Sequence, residues 1–173
     1  MLEKIKEFLA IQSEERRVID RLSRLSWKSQ LRVLRDYAEV SSPGPGALTR
    51  LLRFRNHRIL SAMNELIHVH GEPNPDLPAI KKALRGTVGQ RCAALHVVVR
   101  LALRECGDEV IEGLQSTNAD VRLVSVLAAK ALRDPRALPF LRKMAVHEER
   151  DVHLAAEIAL QNWDVGPMDQ VVE

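Results

Sequence analysis

Apolar residues recur along this chain every three or four positions, broken only by short polar segments containing proline or glycine. That rhythm predicts helices throughout. Leu2, Ile5, Phe8 and Leu9 share one face of a predicted first helix over residues 1–12. Ser13-Glu14-Glu15 reads as the cap of a second helix burying Val18, Leu22 and Leu25, because serine accepts orphan amide protons and glutamate favours the positive helix end. Ser26 opens a third through Leu31, Leu34, Tyr37 and Ala38. Residues 1–40 are thus expected to cap one end of a helical stack. Ser41-Ser42-Pro43-Gly44-Pro45-Gly46 halts the pattern and reads as a flexible joint. A short helix over Ala47–Phe54 buries Leu48, Leu51 and Leu52. Asn56 then caps a helix carrying Ile59, Leu60, Met63, Leu66 and Ile67, and Gly71-Glu72-Pro73-Asn74-Pro75 ends it.

The remaining chain repeats itself. Gln90-Arg91-Cys92, Val121-Arg122-Leu123 and Val152-His153-Leu154 stand 31 residues apart, and so do Asp120 and Asp151. Leu77-Pro78-Ala79-Ile80-Lys81-Lys82 matches Leu138-Pro139-Phe140-Leu141-Arg142-Lys143, with Asn74-Pro75 placed like Asp134-Pro135. An Asp or Asn before Pro predicts a cap with a pre-set first helical φ. Small residues follow each triplet (Ala93 and Ala94, Ser125, Ala155 and Ala156), which lets neighbouring helices approach. Val110, Ile111 and Leu114 make a short first helix between them. The repeats cover 45–163 and leave a tail over 164–173.

A turn, a short helix opening with Asp-Pro, a Leu-Pro pair, then Asp-Val-Arg and an Ala/Leu-rich helix resembles the HEAT repeat family. The 31-residue step is similar to the compact HEAT-like repeats of bacterial proteins and phycobilin lyases, shorter than the roughly 40-residue form. The signatures of tetratricopeptide and ankyrin repeats are missing. The resemblance implies an all-α, right-handed α-solenoid of about five helical hairpins, forming one domain over 1–173. It also implies an interaction surface: a concave groove lined by second helices near 56–69, 88–104, 118–132 and 149–162. In the family, the Asp of Asp-Val-Arg looks like a helix cap and the Arg a bridge to the next repeat.

Composition adds charge to this picture. The net charge of +3 conceals a polarity, since residues 16–58 hold 11 Lys/Arg against 3 Asp/Glu and residues 105–173 hold 7 against 13. Such segregation suits an anionic partner (an acidic protein or an anionic membrane surface) or head-to-tail association of copies. Arg17, Arg21, Arg24, Lys28, Arg32 and Arg35 would line one face of a continuous helix, followed by Arg50, Arg53, Arg55 and Arg58. HEAT-like DNA glycosylases bind duplex DNA on a basic concave face, so nucleic acid is the alternative partner. The basic region offers only Trp27, Tyr37 and Phe54 for base stacking. No stretch approaches the roughly 18 apolar residues of a membrane span, and the charged N-terminus lacks a signal-peptide core. Cys92 and Cys106 lack metal or redox spacing and read as buried thiols in a reducing, cytoplasmic setting.

Candidate chemistry is sparse. HEAT-like di-iron hydroxylases resemble His-Glu-Ala-Ala-Glu in several repeats, whereas this chain has His153-Leu154-Ala155-Ala156-Glu157, with leucine in place of the adjacent carboxylate. One histidine cannot assemble a dinuclear site. His147-Glu148 falls in a predicted turn, and His68-Val69-His70 at a predicted helix end, where imidazole also suits the helix dipole. No phosphate loop or nucleophile elbow is present. The sequence therefore predicts a non-enzymatic scaffold or adaptor without metal or cofactor. Arg50, Arg53, Arg55, Arg58, Arg91, Arg122 and His153 are its candidate partner-binding residues.

Overall fold

The computed structural model describes residues 2–147 and 149–164, and among these the protein is all-helical, with nine α-helices and no strand. The chain divides into two compact units, one over Met1–Leu101 and one from Ala102 onward.

The N-terminal unit opens with α1 (Leu2–Leu22), a single 21-residue helix. The expected break at Ser13 does not occur. No glycine or proline interrupts this stretch, and Glu14 and Glu15 accept hydrogen bonds from other segments instead of capping. A turn then leads to α2 (Trp27–Ser41), whose Ser26 Oγ donates to Ser29 Oγ at 3.0 Å and makes no side-chain cap to backbone. Helix α2 ends before Pro43, as the steric clash of Pro with a preceding helical residue requires. After a 3-10 turn (Thr49–Arg53) come α3 (His57–His70), α4 (Leu77–Leu84) and α5 (Val88–Leu101). Asn56 caps α3, accepting from the Arg58 amide at 2.9 Å. Asp76, and not Asn74, caps α4 by accepting from Ala79 N at 2.9 Å, with Pro78 in the first turn.

Thr87 and Gln90 close the start of α5 reciprocally. Gln90 Oε1 accepts from Thr87 N at 3.1 Å, and Gln90 N donates to Thr87 Oγ1 at 3.4 Å. This Thr-x-x-Gln capping box satisfies orphan donors at both positions. Helix α3 is flanked by α2 and α5, while α4 packs on α5 and on the 3-10 turn. Phe54 is fully buried among the core side chains, with Leu34, Leu51, Ile59, Met63 and Ile80, so it is unavailable for base stacking.

The second unit holds two helical pairs, α6 (Gly107–Leu114) with α7 (Ala119–Leu132), and α8 (Leu138–His147) with α9 (Arg150–Asp164). Helix α7 also packs on α9. Asn118 caps α7 by accepting from Val121 N at 3.1 Å, so Asp120 is not the cap that the resemblance implied. Asp120 lies exposed in the first turn, and so does Asp151 in α9. Ser125 is fully buried, and its hydroxyl donates back to the Val121 carbonyl at 2.7 Å. Asp134 caps a 3-10 turn at Pro135–Ala137 that leads into α8. Arg136 then ties this turn to Asp108 on α6 at 2.7 Å. Glu148 and the tail beyond Asp164 lie outside the described residues. Cys106 is buried as expected, whereas Cys92 is only half-buried.

Candidate binding groove

The basic residues singled out in the sequence meet different fates. Arg50 serves its own chain. Its guanidinium donates to the carbonyls of Ser42 and Pro45, each at 2.6 Å, and to those of Pro43 and Gly44 at 3.3 Å. It also lies 3.4 Å from Asp76. The Pro/Gly segment read as a flexible joint is therefore wrapped around one cation. Arg53 pairs with Glu14 at 2.9 Å and contacts Tyr37 Oη at 3.3 Å, while the Tyr37 phenol donates to the same glutamate. Burial, together with that hydrogen bond and the Glu14 charge, raises the Tyr37 pKa above its ordinary value. The Arg53 guanidinium also stacks over Phe54, 4.7 Å from the ring centroid. Neither Arg50 nor Arg53 is a free partner-binding cation.

Arg58 is exposed in the first turn of α3. Arg91 is half-buried in the first turn of α5. In the other unit, Arg122 donates to the Ser116 carbonyl at 2.9 Å, bonding the loop before its own helix, and His153 Nε2 lies 3.5 Å from Glu157. The basic run from Arg17 to Arg35 does not form one face, because α1 stops at Leu22 and α2 begins at Trp27. His68 and His70 are exposed at the end of α3, and no group of three metal-ligating side chains occurs among the described residues.

A groove of about 660 Å3 opens within the N-terminal unit, between the outer half of α1 and α4. Helix α1 buries side chains only toward one end. Toward its C-terminus Val18 and Leu22 are buried, and Glu15 Oε1 accepts the Arg55 amide at 2.8 Å and the Asn56 amide beside it. That carboxylate sits at the start of α3, where the helix dipole favours negative charge. Toward the N-terminus, Leu2, Ile5 and Leu9 are 74%, 48% and 56% exposed. Phe8 and Ile11 of α1 face Pro78, Ala79 and Ala83 of α4 across the groove, with Leu52 and Gln90 also in its lining. Gln90 is buried, and its Nε2 donates to the Leu52 carbonyl at 2.9 Å.

The lining holds six Lys/Arg against two glutamates, and one of the six, Arg53, is already paired with Glu14. Arg55 covers the Phe8 ring, 4.9 Å from its centroid, and Lys82 reaches Glu7 at 3.5 Å across the groove. Of the predicted site residues, the structure brings Arg53 and Arg55 together here. Lys4, Phe8, Lys82 and Gln90 were missed, because the two walls are distant in sequence and no local spacing announces them. Two smaller clefts also lie in this unit. One, between α2 and α3, has Lys28, Arg32 and Arg35 around Leu31, Leu66 and Val69. The other, between α3 and α5, is ringed by Ser61, Asn64, Glu65, His96 and Arg100. Partial burial lowers the His96 pKa there.

No protein-family model, curated protein or solved structure matches this chain.

Proposed function

We propose that this protein is a non-enzymatic adaptor of HEAT-like build, a cytoplasmic right-handed solenoid that holds an acidic, amphipathic segment of a protein partner. The groove between α1 and α4 carries this reading. Its apolar walls would take one face of a helix or extended strand, and its cationic surplus would meet flanking carboxylates. The α3–α5 cleft, on the second-helix face where the sequence located the groove, is more polar and suits such a segment less well. The HEAT-like part of the reading is supported by helix starts. Helices α5, α7 and α9 begin at Val88, Ala119 and Arg150, a step of 31 residues each time. Duplex DNA is the weaker alternative, since Arg50 and Arg53 hold their own chain and the remaining basic run is split between two helices.

The test is capture of partners from cell lysate by the purified protein, before and after nuclease, alongside a Lys4→Glu/Lys82→Glu variant. A discrete protein retained after nuclease by wild type and lost by the variant is the expected result. Equal capture by both proteins removes the groove from the reading. Retention that disappears on nuclease treatment replaces the adaptor with a nucleic-acid binder.

A further inference from the structure

We infer that the segment held in the α1–α4 groove is helix α9 of a second copy of this chain, an inference that rests on the groove being a protein-binding site. Helix α9 exposes Leu154 and Ile158, 52% and 42% accessible. They stand four residues apart and so lie one above the other on a single helical face. Across Arg150–Asp164 the helix has one arginine against three carboxylates, with Asp151 exposed in its first turn and Glu157 near the same stripe. The groove has the complementary description: apolar walls and six cationic against two anionic side chains.

The same opposition extends beyond the two surfaces. Residues 16–58 carry a local surplus of 11 Lys/Arg over 3 Asp/Glu, and residues 105–173 the reverse, 7 against 13. Like charge opposes groove-to-groove and α9-to-α9 contact, so copies associate head to tail through two different patches. The groove is poised for this exchange. Glu7 occupies Lys82 at 3.5 Å with both side chains largely exposed (60% and 80%). A surface pair of that kind is held weakly, so an incoming carboxylate from α9 displaces Glu7 at little cost. The exposed Ile5 and Leu9 on α1 extend the apolar area beside the groove.

Sedimentation velocity on the full chain, over a concentration series at low and high salt, tests the inference. Wild type is expected to sediment as species larger than the 19.5 kDa monomer, growing with concentration and shrinking with salt. Lys4→Glu/Lys82→Glu balances the groove at four charges of each sign and should weaken association at least about tenfold. Leu154→Gln/Ile158→Gln should do the same from the other side, and all four positions are exposed enough for the variants to fold. Mixing the two variants should restore a one-to-one complex that stops at two copies, because each retains one intact patch. Glu7→Gln should tighten association that still dissociates on dilution and in salt, which aggregation of misfolded chains would not do.

A wild type that stays monomeric throughout, or association unaltered in both variants, overturns the inference. In that event, partner capture that still depends on Lys4 and Lys82 leaves the adaptor reading standing. Capture indifferent to them removes both.

Discussion

The side-chain amide of Gln90 donates to the backbone carbonyl of Leu52 at 2.9 Å, while its oxygen accepts from Thr87 at the start of α5. One buried side chain therefore satisfies a helix start and the end of the 3-10 turn together. Replacing Gln90 with leucine should leave the Leu52 carbonyl and the Thr87 amide without these partners, at a cost of about 1–3 kcal/mol. A lower urea midpoint with an unchanged slope checks this.

Tyr37 is the single tyrosine of the chain, so its absorbance at 295 nm titrates one group. Burial and the hydrogen bond to Glu14 raise its pKa above 10.0. The stability it contributes is present in full below its unfolded pKa and is lost as pH rises through the higher folded value. Its midpoint should lie above that of free tyrosine. Glu14→Gln should bring it part of the way back, since burial, the larger cause, remains.

Arg50 and Gly46 both hold the Pro/Gly segment in place. Arg50→Met should release four backbone carbonyls, destabilise the protein by roughly 1–3 kcal/mol and open residues 42–45 to limited proteolysis. Gly46 has φ of +81°, and a Cβ there would stand 2.8 Å from the Asp76 backbone amide. Gly46→Ala should therefore strain both this turn and the cap of α4. The measurement is thermal unfolding, with a lower Tm expected for each variant.

In the second unit, hydrogen bonds and charge from Arg136 hold the Asp134 carboxyl below its ordinary value of 3.8. The stability this lends is complete above the unfolded pKa and disappears as pH falls through the lower folded one. Asp134→Ala also removes the cap of the turn before α8 and should cost about 1 kcal/mol at neutral pH. The difference between wild type and variant should narrow as acid unfolding is carried down through that range.

Glu15 fixes the inner end of the groove wall. Glu15→Ala should speed amide exchange at Arg55 and Asn56 and along α1, and it should weaken whatever the groove binds. Exchange along α7, in the other unit, should be unaffected.

Helix α3 was legible because its apolar stripe is regular, and α5 and α7 because a triplet recurs at a fixed step. Caps were legible where one residue type dominates locally, as with Asn56 and Asp134. Sequence failed where distant groups decide. Glu14 and Glu15 look like a helix start, yet they serve Arg53, Tyr37 and the start of α3 from the middle of α1. Arg50 looks like a surface cation, yet it is enclosed by the loop that precedes it. Thr87-x-x-Gln90 was a readable capping box that the repeat alignment obscured. The groove had no signature, because Phe8 and Ala79 share nothing local.

The common step of the helix starts extends to the short helices as well. Helices α6 and α8 begin at Gly107 and Leu138, again 31 residues apart. Excision of Gly107–Ala137 would join Cys106 to Leu138 with the following helix in phase, each a short 3-10 turn running into an eight- or ten-residue helix. A cut one residue longer or shorter would turn that helix by about 100° and carry its apolar stripe off the core. The length of this unit is in that sense quantised: only a whole-hairpin step leaves the apolar stripe of the following helix facing the core.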